Sequence, residues 1–193
     1  VVSAQPYFPH WKASSYKYFF SEEVIRCPIW VPRKPNGLNR IIHLLSFSFT
    51  SFPILLYLSK KKYDLIFTVV PSLFCIPSAL ILSKILNKYS SSWLHYQDLE
   101  IEAAFGLKLI KGKILKNLLL NIESFLINKF DKVSTISNEM CLKISEKLQD
   151  NSKLFYFPNW VDTSLLHPLK DKEKLIKKYY KEYEFFENKK IVM

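Results

Sequence analysis

Short apolar runs alternate along this chain with longer segments of helical periodicity. The runs are four to seven residues long and predict strands at 1–4, 23–27, 64–70, 93–97, 132–136 and 153–157. Between them, the pattern predicts helices at 38–59, 74–87, 113–129 and 137–149. Strands separated by helices indicate βαβ units, so the pattern predicts an α/β fold with a mostly parallel sheet and flanking helices.

Three local signals refine the helix predictions. Leu115, Leu119, Ile122 and Leu126 recur at spacings of three and four, which predicts that this face of their helix is buried. Ser137 precedes a helical segment and is a predicted N-cap. Pro53 is expected to kink or split the first helix.

Residues that follow the predicted strands are the first candidates for a functional site, because parallel sheets bind ligands beyond their carboxyl ends. The richest such segment is WLHYQDLEIEAAFG at 93–106, which contains His95, Gln97, Asp98, Glu100 and Glu102. Carboxylates in this position can bind sugar hydroxyls or act in acid–base chemistry. The alternatives are a solvated acidic loop and, for His95, a packing role.

Two further segments follow strands. FPNWVD at 157–162 has the composition of a turn. PYFPHW at 6–11 is a loop of aromatic residues and prolines, whose aromatic faces could stack on sugar rings or contact lipid head groups.

Charge and motifs exclude several classes of function. The formal net charge is +11, but only three of the 28 basic residues are arginine, and no nucleic-acid motif is present. A lysine-rich surface, or one that attracts anionic lipid or sugar diphosphates, is the better interpretation. The three glycines and three cysteines form no dinucleotide fingerprint, phosphate loop or zinc motif.

Two apolar stretches, 41–58 and 65–82, approach the length of a membrane-spanning helix. A two-helix hairpin over 41–82 is therefore an alternative. Pro71 and Pro77 favour a strand–loop–helix junction instead, and basic residues flank both stretches without the asymmetry that would orient a hairpin.

The motifs, taken in order, resemble the retaining GT-B glycosyltransferases of family four, and most closely their colanic-acid and exopolysaccharide biosynthesis branch. The resemblance runs from residue 6 to residue 169. It rests on PYFPHW, EEVIRCPIWVP, HLLSFSFTS, HYQDLEIEAAFG, FDKVSTISNEM and FPNWVD.

The resemblance implies a Rossmann-like N-terminal, acceptor-side domain at 1–169 that lacks its first strand and glycine-rich loop. Residues 170–193 would be a linker helix and the first strand of a truncated donor-binding domain. The chain is therefore interpreted as a fragment that is inactive alone. The complete enzyme would use a nucleotide sugar, with no metal or other cofactor, and a lipid-linked sugar acceptor. It would act in the cytoplasm, peripherally at the inner face of the membrane.

Site roles follow from the same resemblance. Asp98 is the first candidate for orienting the acceptor hydroxyl, and His95 and Glu100 are further catalytic candidates. Many relatives have His-Asp where this chain has Gln97-Asp98, and PNGVD where it has PNWVD. The expected acceptor and cleft residues are Tyr7, Trp11, Gln97, Glu102, Ser137, Asn159 and Asp162. A membrane-anchored interaction protein and a non-catalytic remnant of the same fold are the alternatives.

Overall fold

The computed structural model describes residues 1–7, 12, 24–34, 37–70, 73–108 and 111–164. Its strands are β1 (Val2–Ala4), β2 (Ile25–Cys27), β3 (Leu65–Val70), β4 (Ser91–Tyr96), β5 (Lys132–Thr135) and β6 (Leu154–Tyr156). Its α-helices are α1 (Gly37–Leu58), α2 (Ile76–Leu80), α3 (Glu100–Gly106), α4 (Lys113–Ile127) and α5 (Asn138–Ser145). The chain has the predicted Rossmann-like α/β fold, with parallel sheets flanked by helices.

All strand pairs in the described residues are parallel. β1 pairs with β2, and the other four strands form a sheet in the order β3-β4-β5-β6. Val70 lies opposite Tyr96, and Tyr96 lies opposite Thr135. The carboxyl ends of β3, β4 and β5 therefore meet at one edge of the larger sheet.

One face of the larger sheet carries the hydrophobic core. Val70, Leu94, Tyr96 and Val133 point to this face and pack with buried side chains of α2, α4 and α5. The opposite face carries aromatic side chains. There Phe67 stacks against His95 with ring centroids 5.8 Å apart, and Leu65 is 47% exposed.

The helix α1 is continuous across Pro53, so it is not split there, and the kink at Pro53 stays a prediction. The next apolar stretch forms β3 and not a second long helix, so the two-helix hairpin over 41–82 is wrong. This segment is a strand because its backbone pairs in parallel with β4, and buried parallel strands are apolar along their length. A strand here is what Pro71 and Pro77 favoured over a long helix.

The segment after β3 is less regular than predicted. A 3₁₀ turn at Leu73–Cys75 leads into α2, and a π-helical stretch follows at Ile81–Leu86. Residues 73–86 are called the α2 segment below. Pro77 lies in the first turn of α2, where no intrahelical N–H donor is needed.

Two further helices differ from expectation. α3 occupies residues that were interpreted as a loop. α4 is rotated from its predicted orientation: Leu115 and Ile122 are exposed, whereas Glu123 and Ile127 are buried. The polar contacts of Glu123, described below, account for this rotation.

The contacts divide the chain into two units, Val1–Pro158 and Asn159–Met193. Of the second unit, only residues 159–164 are described. The linker helix and the strand expected within 170–193 lie outside the described residues. The assignment of domains to 1–169 and 170–193 stays a prediction.

Candidate active site

The predicted site begins with His95 near the end of β4. The histidine is buried, and both ring nitrogens have partners: Nδ1 lies 2.8 Å from Ser134 Oγ, and Nε2 lies 2.8 Å from Gln97 Nε2. Because the Gln97 amide nitrogen is a donor, Nε2 accepts and the ring proton is on Nδ1. Burial also lowers the pKa of His95, which favours the neutral ring. These contacts fit a histidine that holds Gln97 in place.

Trp93 and Phe157 lie beside His95 on the face of the sheet opposite the core, and these three side chains are called the aromatic layer below. Trp93 Nε1 donates a 2.7 Å hydrogen bond to the same Ser134 hydroxyl. The Phe157 ring lies edge-on to His95, with centroids 5.5 Å apart. Ser134 is buried and was not singled out by the sequence, because a lone serine in a strand carries no signal.

Asp98 and Glu100 follow β4 directly but differ in environment. Asp98 is exposed in the loop between β4 and α3, while Glu100 begins α3 and is half-buried. Burial raises the pKa of Glu100 to about 8, opposed by a hydrogen bond from the Leu73 backbone amide and reinforced by the charge of Asp98. At neutral pH, Glu100 therefore holds its proton and can donate a hydrogen bond.

The structure brings Tyr7 within electrostatic range of Glu100. Burial raises the pKa of Tyr7, the charge of Glu100 raises it further, and the charge of Arg40 lowers it. The Tyr7 ring also lies edge-on to His43 of α1, with centroids 4.5 Å apart. Tyr7, which follows β1, thus lies within electrostatic range of Glu100, which follows β4.

Glu102 belongs to a buried ionic cluster beneath this surface. Lys147 Nζ lies 2.5 Å from Glu102 Oε1 and donates a 2.5 Å hydrogen bond to Glu123 Oε2. The Tyr96 hydroxyl donates to the other Glu123 oxygen. Burial raises the pKa of Glu123, and Lys147 opposes the shift. The sequence argument missed the role of Glu123, although a carboxylate within an apolar helix was a usable signal.

The remaining predicted residues are placed as follows. Ser137 caps α5, because its hydroxyl accepts a 3.2 Å hydrogen bond from the Met140 amide, as predicted. Asp162, in the second unit, accepts hydrogen bonds from the Ser164 amide and hydroxyl. Asn159 is in the same unit, and Trp11 lies outside the described residues.

A lysine-rich depression adjoins Glu102. Its lining comprises Glu102, Phe105, Gly106, Lys108, Lys111, Gly112, Lys113, Lys116 and Lys143. Five lysines against one glutamate give this depression a positive potential that attracts anions. Among the described residues, no group of three or more His, Cys, Asp or Glu side chains is placed to hold a metal ion.

Comparison with known proteins identifies a homologue of this chain. No family model matches the sequence. The chain is 34% identical, over 203 aligned positions, to the "Putative colanic acid biosynthesis glycosyl transferase WcaI" of Escherichia coli (strain K12). The alignment takes in all of this chain and 49% of WcaI. The chain is therefore homologous to WcaI and spans about half of its length.

Proposed function

We propose that this chain is the acceptor-side half of a nucleotide-sugar-dependent glycosyltransferase of the GT-B type, acting in the synthesis of a cell-surface polysaccharide. The observation that carries the proposal is the homology to WcaI along the whole chain. The placement of Asp98 and Glu100 at the carboxyl edge of a parallel sheet supports it.

In the proposed reaction, the hydroxyl of a lipid-linked sugar attacks the anomeric carbon of a nucleotide sugar with retention. The bond from that carbon to the diphosphate breaks, the nucleoside diphosphate leaves with the electron pair, and the acceptor hydroxyl gives up its proton. The transition state has oxocarbenium character, so a nearby carboxylate can orient the acceptor hydroxyl or stabilise developing charge. Asp98 fits this role because its side chain is exposed at the sheet edge. Glu100 is protonated at neutral pH and fits hydrogen-bond donation to a sugar oxygen.

His95 is better suited to positioning than to proton transfer. Its ring nitrogens are occupied by Ser134 and Gln97, and the ring is almost inaccessible to solvent. Gln97, which His95 holds, precedes Asp98 in the chain. We therefore assign acceptor binding to the 97–100 segment and a supporting role to His95.

The test uses the 193-residue chain alone and the same chain joined to the remaining half of WcaI. Each is incubated with a panel of nucleotide sugars and a polyprenyl-diphosphate-linked sugar acceptor, and transfer of radiolabelled sugar is measured. We expect transfer by the joined protein and none by the chain alone. A folded joined protein that transfers no sugar from any donor would overturn the proposal.

A further inference from the structure

We propose that the outward faces of α1, the α2 segment and α4 form one surface that docks peripherally on an anionic phospholipid membrane. α2 contacts both α1 and α4, so the three helices lie side by side. Their outward side chains are called the outer helical surface below. Docking requires neither donor nor acceptor, so it can fail or succeed independently of the proposed sugar transfer.

The exposed side of α1 is apolar. Its exposed large hydrophobic residues are Leu38, Ile42, Phe49, Leu56 and Tyr57, and Phe49 is 75% exposed. The first four follow one another at intervals of four, seven and seven positions, so they share one side of the helix. In a water-facing helix, this side would be polar.

The polar side of α1 faces the protein. His43 is buried and donates a hydrogen bond from Nδ1 to the Trp30 carbonyl, while Ser46 Oγ accepts from the Trp30 amide at 2.9 Å. Ser48 donates to the Phe74 carbonyl and Thr50 to the Pro28 carbonyl. The amphipathicity of α1 is thus inverted relative to a helix on a water-exposed surface.

α4 repeats this inversion. Ile114, Leu118, Ile122 and Phe125 are exposed at intervals of four, four and three positions, and Leu118 is 53% exposed. The buried side of the same helix carries Glu123. In the α2 segment between the two helices, Ile85 and Leu86 are also exposed. Adjacent helices that all expose apolar side chains form a patch typical of an interaction site.

The charges around this patch favour a lipid headgroup surface over a protein partner. In the stretches 33–62, 73–90 and 111–129, the single acidic side chain is Glu123, which is buried. Exposed basic residues flank α1 at both ends, with Arg33 and Lys34 before it and Lys60–Lys62 after it. An apolar patch bordered by basic residues and free of exposed carboxylates complements anionic lipids.

The same contacts determine how α1 meets the membrane. By length and composition alone, α1 is apolar enough to span a bilayer, and only 11% of its most apolar window is buried. However, its polar side is fixed by hydrogen bonds to the Pro28–Trp30 segment and to Phe74. Because the polar side of α1 is bonded to the rest of the protein, only its apolar side can enter the membrane. The helix α1 therefore lies along the membrane interface and does not cross the bilayer.

The experiment is flotation of the purified 193-residue chain with vesicles of phosphatidylethanolamine and phosphatidylglycerol, or of phosphatidylcholine alone. The test variants are Phe49→Ser and Leu118→Ser. Leu65→Ser is the matched control, because Leu65 is similarly exposed but lies on the opposite face of the sheet. Thermal melting of each variant verifies that it is folded, and sedimentation in the absence of lipid measures self-association.

We expect binding to anionic vesicles, weaker binding in high salt, and little binding to phosphatidylcholine. Each test variant should bind roughly tenfold more weakly than the parent chain, and Leu65→Ser should bind equally well. Three results would overturn the proposal: no binding to anionic vesicles, equal loss in the control, or a stable dimer that Phe49→Ser and Leu118→Ser dissociate. The last result would mean that a second copy covers the surface.

Discussion

The Tyr96 hydroxyl donates a 3.1 Å hydrogen bond to Glu123 Oε1, joining the last residue of β4 to α4 beneath the candidate active site. Lys147 holds the other oxygen of the same carboxylate. Because the Glu123 side chain is only 3% exposed, its hydrogen bonds are made without competition from water. This contact fixes α4 relative to the edge of the sheet where Asp98 and Glu100 lie.

Glu123→Gln should therefore destabilise the fold. The substitution removes the charge that Lys147 and Tyr96 face, which costs about 2 kcal/mol of unfolding free energy. Urea denaturation followed by circular dichroism measures the change. Glu139→Gln is the control, because Glu139 is exposed on α5 and its loss should change stability by less than about 0.5 kcal/mol. Equal effects of the two substitutions would contradict the importance of the buried cluster.

Glu100 should make stability depend on pH. Its pKa is about 8 in the folded chain, against the ordinary value of 4.5 expected after unfolding. The folded state thus binds this proton more tightly, so the stabilisation is complete below about pH 4.5 and is lost as the pH rises to about 8. The difference in unfolding free energy between the parent chain and Glu100→Gln, measured from pH 5 to pH 9, should follow this loss. A pH-independent difference would show that Glu100 ionises normally.

Ser134→Ala should lower the unfolding free energy of the chain, because Ser134 holds two side chains of the aromatic layer. The serine hydroxyl accepts hydrogen bonds from Trp93 and His95, so its removal leaves one half-buried donor and one buried donor without their partner. We expect a loss of roughly 2–4 kcal/mol in unfolding free energy and a change in tryptophan fluorescence. Ser145→Ala, at the end of α5, removes one hydroxyl that bonds only to a local carbonyl, and should be nearly neutral. A neutral Ser134→Ala would mean that water replaces the hydroxyl.

Alanine substitution of the two glycines that line the lysine-rich depression should change the unfolding free energy differently. Gly112 has a φ of +112°, which L-residues rarely adopt, so Gly112→Ala should cost about 1–2 kcal/mol. Gly106 is at the end of α3 with no atom near an added Cβ, so Gly106→Ala should be neutral or stabilise by up to about 1 kcal/mol. Chemical denaturation of both variants compares them directly. A similar loss for both would contradict the role of backbone conformation.

Much of the fold could be predicted because its signals are local. The apolar runs located the six strands that the described residues form, and the hydroxyl of Ser137 before a helix correctly predicted the N-cap of α5. The orientation of α4 could not be predicted in this way, because it depends on the distant partners of Glu123. The inverted α1 was unpredictable for the same reason: Ser46 and Ser48 form hydrogen bonds with the backbone of Trp30 and Phe74, which are distant in sequence.

The sequence predicted where the candidate site lies along the chain, but it did not predict the environment of each side chain in the site. The parallel arrangement made Tyr7 and Glu100 candidates, and the charge of Glu100 raises the pKa of Tyr7. The arrangement did not distinguish exposed Asp98 from half-buried Glu100, because the environment of Glu100 depends on its hydrogen bond with the distant Leu73 backbone amide. The roles of all three residues in sugar transfer stay predictions.

The most direct measurement is the turnover of Asp98→Asn in the joined protein that transfers sugar. If Asp98 orients the acceptor hydroxyl, kcat should fall about a hundredfold or more while the melting temperature stays the same. Glu139→Gln, assayed in parallel, should retain full turnover. Unchanged kcat in a folded Asp98→Asn protein would contradict the assignment of the β4 edge as the acceptor site.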